Sequence, residues 1–117
     1  MFDLDNITDE AATCNDLEEV VMGLIINSGQ ARSLAYTALK KAKEGDLAAA
    51  HQLMAQSREA LNAAHLVQTQ LIEDDQGEGK IPVTLVLVHA QDHLMTSMLA
   101  RELIGELIEL HEKLQNQ

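Results

Sequence analysis

The fold class this sequence predicts is all-α: an up-and-down bundle of three long helices. Three observations predict it. Apolar residues recur at spacings of three and four along most of the 117 residues. Two polar breaks, Gly45-Asp46 and Asp74 to Lys80, divide that pattern into three runs. Hydrophobic residues make up 46% of the chain, mostly Leu, Ala, Val, Ile and Met, which is enough for a packed aliphatic core and too much for a disordered acidic chain.

The first 15 residues are acidic and polar with little periodicity, and are expected to be a mobile N-terminal tail. The domain is then 16–117. Asn15 or Asp16 is placed to cap a first helix running from Leu17 to Glu44, because a short side-chain oxygen satisfies the free N–H groups of a first turn. Glu18 and Glu19 suit the positive end of the helix dipole, and Lys40, Lys41 and Lys43 suit the negative end. Val21, Leu24, Ile25, Ser28, Ala31, Ala35, Ala38 and Ala42 form one stripe that narrows to small residues, so a neighbouring helix can approach closely.

Gly45 suits a left-handed helix end and Asp46 suits the next cap, so the link forces an antiparallel hairpin. The second helix is expected from Leu47 to about Glu73, with Leu47, Ala50, Met54, Ser57, Leu61, Ala64, Gln68 and Leu71 as its stripe. The loop from Asp74 to Lys80 is glycine-rich. It lacks the spacing of a phosphate-binding loop, has no Ser or Thr after Lys80, and carries three acids. Pro82 follows at a natural first helical position. The run Val83 to Val88 is rich in β-branched residues, but the helical spacing continues unbroken to Leu114, and a lone strand would have no partner. One helix from Pro82 to about Leu114 is therefore predicted.

Charge and cysteine content exclude several functions. Nineteen acidic against eight basic residues give a formal net charge of −11, which disfavours contact with nucleic acid or an anionic membrane surface. The only aromatics are Phe2 and Tyr36, so base-stacking platforms are absent too. Cys14 is the single cysteine, so the chain forms no internal disulfide and no cysteine-based zinc site. The opening MFDLDNITDE has neither a basic leader nor an apolar run, and no stretch of ~18 apolar residues occurs. A cytoplasmic protein without membrane insertion is expected.

The chemistry-bearing segment is His89-Ala90-Gln91-Asp92-His93-Leu94-Met95. At helical pitch His93 lies about 40° from His89, and Asp92 about 60° to the other side. Gln91 is about 160° round and does not reach His89 within one chain. Asp92 interrupts a seam of Leu85, Leu99, Leu103 and Leu110, where a carboxylate is costly unless paired, protonated or bound to a cation. Leu87, Leu94 and Met98 make the opposite side apolar as well, and a helix apolar all round has a second buried contact. With no fourth long helix, other copies of the chain supply it, so a homo-oligomer with Asp92 in its interface is expected.

More than one chemistry fits this constellation. A His89/His93 pair one turn apart suits zinc, yet a third ligand is not evident, and Ala90 stands where the metalloprotease pattern wants Glu. No Glu-x-x-His occurs, which disfavours a di-iron bundle. His51, His65 and His111 lack such company and read as structural or solvated, and Met95 and Met98 read as core. By spacing alone, a phosphoryl carrier, a non-catalytic helical adaptor and a small metal-binding bundle using His89, Asp92 and His93 stand level.

The octet His89 to Thr96, with Glu18 to Gly29 and the wider stretches 17–33, 64–73 and 83–113, resembles the enzyme IIA component of the lactose/chitobiose class of bacterial phosphoenolpyruvate-dependent sugar phosphotransferase systems. The details look most like the N,N′-diacetylchitobiose branch. The resemblance implies a homotrimer of three-helix bundles with a coiled-coil-like core. It implies that His89 accepts a phosphoryl group, through Nε2, from a histidine-containing phosphocarrier protein and passes it to a cysteine of a IIB component. His93 matches a supporting active-site position. Asp92 matches an intersubunit metal ligand, one per chain around the three-fold axis. Three carboxylates about 4 Å apart repel by on the order of 4 kcal/mol per pair at an effective dielectric near 20. A divalent cation such as Mg²⁺, held by oxygen, relieves this.

Overall fold

The structure is a computed structural model and describes residues 10–117 of the chain, with side chains from Asp16 onward. Three helices follow in order: α1 (Glu10–Lys43), α2 (Leu47–Asp75) and α3 (Leu85–Gln115). Together they form a rod of 62 × 22 × 19 Å. Among the described residues there is no strand, and no helix is long and apolar enough to cross a membrane.

α1 starts at Glu10, so Asn15 and Asp16 lie inside the helix and are not its caps. A residue able to cap does not start a helix where the turns around it are already helical, and Leu17 and Val21 just beyond are buried. Of the expected tail, residues 1–9 lie outside the described residues, and 10–15 belong to α1.

The α1–α2 link is built as its sequence requires. Gly45 takes φ +89°, where an L side chain is strained. The N–H of Gly45 donates to the Ala42 carbonyl (3.0 Å) and that of Asp46 to the Lys41 carbonyl (2.9 Å), closing α1 in a Schellman motif. Asp46 Oδ1 accepts from the Ala49 N–H at 3.1 Å and opens α2. Gln115 donates to the Ala42 carbonyl at 3.0 Å and ties the end of α3 to the same turn.

α1 is the central helix: it packs along both α2 and α3, which touch each other far less. Its stripe is buried as expected, with Leu24, Ser28, Ala31, Ala35, Ala38 and Ala42 wholly covered and Ile25 half-covered. The small residues bring α2 close enough for Ser57 Oγ to donate to the Ala31 carbonyl across the interface at 2.6 Å. One core cluster gathers Leu17, Val21, Leu24, Leu61, Leu71, Leu87 and Leu94, and a second gathers the α1 alanines with Ile104 and Ile108.

The second link departs from expectation at α3. Pro82 lies before the helix, which begins at Leu85 behind Thr84, whose hydroxyl accepts from the Leu87 N–H at 3.2 Å. Two legitimate start signals compete here. The hydroxyl satisfies an otherwise free backbone donor, which the proline does not. The Asp75 carboxylate holds the loop between, accepting from the N–H of Ile81 (2.8 Å) and Gly79 (3.3 Å). His89 therefore stands one turn from the positive end of α3, not two.

Candidate functional site

The α3 helix is divided lengthwise. Leu87, Ala90, Leu94, Ser97, Ile104 and Ile108 point into the bundle and are buried. Around the opposite side Leu85, Val88, Leu99, Leu103, Leu107 and Leu110 are exposed, Leu85 by 87% and Leu103 by 57%. Met98 is half-buried against the core, but Met95 is exposed at 52% and is not a core residue of the single chain. The two apolar sides read from the sequence are both present, and only one is covered by the chain's own helices.

His89 sits at the border of these two sides. It is exposed, and His93, one turn on, is half-buried toward α1. The two imidazoles are parallel, with 3° between planes and centroids 6.1 Å apart, within the range of an offset stack. Asp92 is exposed on the outer side, between Val88, Met95 and Leu99 in helical register. Gln91 turns the other way and accepts a hydrogen bond from the Gln68 amide of α2. Its separation from His89 is as the helical angle requires.

Among the described residues, no three His, Cys, Asp or Glu side chains converge as a metal site. His89, Asp92 and His93 of one chain thus make no zinc centre, because Asp92 faces away from the side that His93 shares with α1. Asp92 is a hard oxygen donor of the type Mg²⁺ takes.

Sequence reasoning missed two features beside the histidines. The first is a groove along α1 lined by Gly29, Arg32, Ser33, Tyr36, Lys40 and His93. It brings Arg32 and Lys40 to the same groove as His93 in a chain that is acidic overall. The second is the approach of His93 to the α1 backbone: a Cβ at Gly29 would lie 3.3 Å from Nε2 of His93. A glycine inside a helix, where alanine is favoured, was the available signal. The guanidinium of Arg101, far along α3, is lowered from its ordinary value by burial first and by the nearby Arg58 second. It donates to the Met54 carbonyl at 3.1 Å and belongs to the packing of α2 on α3.

The sequence pattern of the family described as PTS system, Lactose/Cellobiose specific IIA subunit matches residues 19–112. The chain is 77% identical over 114 residues to the PTS system N,N′-diacetylchitobiose-specific EIIA component of Escherichia coli (strain K12), covering 97% of this chain and 98% of that protein. It is 39% identical over 102 residues to the lichenan-specific phosphotransferase enzyme IIA component of Bacillus subtilis (strain 168), covering 87% and 93%. The solution structure of the Escherichia coli IIA(Chitobiose)–HPr complex is similar with a TM-score of 0.76 at 75% identity, covering 92% of this chain and 99% of that one. The crystal structure of the cellobiose-specific enzyme IIA from Bacillus anthracis is similar with a TM-score of 0.82 at 39% identity, covering 97% and 98%.

Proposed function

The chain belongs to the lactose/cellobiose-specific IIA family of the phosphotransferase system, and from that premise we propose that His89 is its phosphoryl way station. The donor is a phosphohistidine carrier of the HPr type, the partner present in the solved complex of the 75% identical chain. The acceptor is the cysteine of a IIB component. The sugar phosphorylated at the end of the relay is a β-linked disaccharide, N,N′-diacetylchitobiose, after the specificity of the 77% identical relative.

The chemistry is two displacements at phosphorus. The Nε2 lone pair of His89 attacks the phosphorus of the donor phosphohistidine. A new N–P bond forms, the donor N–P bond breaks, and the donor imidazole keeps the electron pair. A cysteine thiolate of IIB then attacks the same phosphorus, an S–P bond forms, and the His89 nitrogen regains its pair. Imidazole suits both roles, since with an ordinary pKa near ~6.5 it supplies an uncharged nucleophilic nitrogen at neutral pH.

The observation that carries this reading is the placement of His89: exposed, at the edge of an uncovered apolar side, with a second imidazole parallel to it. A relay residue has to meet two proteins in turn, and a buried ring could meet neither. The positive end of the α3 dipole, one turn away, favours the phosphoryl charge, though weakly at that distance.

The outer face of α3 is the surface on which copies of the chain assemble as a homotrimer. Exposed leucines at helical spacing from Leu85 to Leu114 give a seam of the coiled-coil kind. Asp92 interrupts it once, and its carboxylate from each copy would hold a structural Mg²⁺ apart from the phosphoryl chemistry. Replacing His89 by glutamine tests the relay. H89Q retains the oligomer by sedimentation and takes up no phosphoryl group from a phosphorylated carrier. Full uptake by H89Q moves the site elsewhere.

A further inference from the structure

α1 contains two glycines in its interior, Gly23 and Gly29, where alanine would make a better helix. Their surroundings differ. A Cβ at Gly23 would meet nothing within 4 Å. A Cβ at Gly29 would stand 3.3 Å from Nε2 of His93, so the imidazole would have to give way. His93 has little freedom to do so unnoticed. It is half-buried, its helical neighbours Ala90 and Leu94 are wholly buried, and its ring runs parallel to that of His89.

We propose that Gly29 is a positioning residue for the phosphoryl relay: by carrying no side chain it lets the His93 imidazole lie against the α1 backbone, and so sets the ring that runs parallel to His89. The proposal rests on the reading of His89 as the phosphoryl acceptor and adds to it a residue on a different helix. Gly29 touches neither the phosphoryl group nor its donor. It acts only through His93, whose half-buried ring it leaves room to hold its place beside the reacting ring. Fixing matters because small misplacements around a reacting atom are costly to rate.

Four variants test this, G29A, G23A, H93A and G29A/H93A, each compared with the unaltered chain. Two readouts are taken: the imidazole ring resonances of the unphosphorylated protein by NMR, and the rate of phosphoryl uptake from a phosphorylated HPr-type carrier. G29A is expected to move the His93 ring resonances and to slow uptake by about tenfold. G23A is expected to change neither. In the H93A background G29A is expected to have no further effect on rate, since two residues acting as one unit are not additive. The double variant also relieves the crowding, so a folding defect in G29A alone does not decide the outcome.

The proposal is overturned by unmoved His93 resonances in G29A, by a G29A rate equal to that of the unaltered chain, or by a full G29A defect that persists without His93. Failure of the underlying reading looks different. There the unaltered chain itself carries no phosphoryl group on His89, whatever stands at position 29.

Discussion

The two long faces of α3 are equally apolar and differently used. Leu87, Leu94, Ile104 and Ile108 are buried in the bundle, and among the described residues Leu85, Leu99, Leu103 and Leu110 are left exposed. Their large residues do not distinguish them, since both faces carry mostly big aliphatic side chains. Neighbours do. The small-residue stripe of α1 and the serines and alanines of α2 bring backbones close along one side only. The inner face makes the fold, the outer face is the one proposed for assembly, and His89 stands where the two meet. The relay role proposed for His89 fits that border. The inner side anchors its helix, and the His89 ring at the border stays exposed.

Breaking each face in turn tests the distinction. Leu94→Ala removes a wholly buried side chain and is expected to cost about 2–5 kcal/mol of folding stability, read by denaturant unfolding. Leu99→Ala, on the other side, is expected to leave the unfolding of the dissociated chain nearly unchanged. Its loss of about 1.5–3 kcal/mol per covered side chain falls instead on self-association, measured by sedimentation against concentration. Equal effects of the two changes on both measurements would erase the difference between the faces.

A smaller and more pointed change is Asp92→Leu. It completes the outer seam with the residue type found on either side of it. The expected outcome is a trimer that forms as well as before or better and no longer responds to Mg²⁺ removal by chelator. A variant with no trimers at all would contradict the role given to Asp92, because a structural cation answers a repulsion that leucine lacks.

Much of the fold was legible in the chain because its signals are local. A stripe at spacings of three and four fixes a helix and its buried face together, and Gly45-Asp46 states both the end of α1 and the start of α2 within two residues. Helix starts were less legible. Asn15 and Asp16 have capping side chains but sit within α1, and Pro82 yields to Thr84 two residues later. Several residues near a boundary can cap, and packing of the turns beyond decides among them. The placement of His89, His93 and Asp92 on one helix follows from their spacing. The meeting of His93 with Gly29 does not, because it depends on the register of α1 against α3, which no local pattern states. Tyr36 and Arg32 entered the neighbourhood of His93 by the same route.

The relay itself is tested most directly by incubating the chain with labelled phosphoenolpyruvate and the two general phosphotransferase proteins, then locating the label by peptide mapping. The account predicts one acid-labile, base-stable phosphoryl group per chain, carried on His89. Label on His51, His65, His93 or His111 instead, or a chain that stays unlabelled while its carrier is charged, would contradict it.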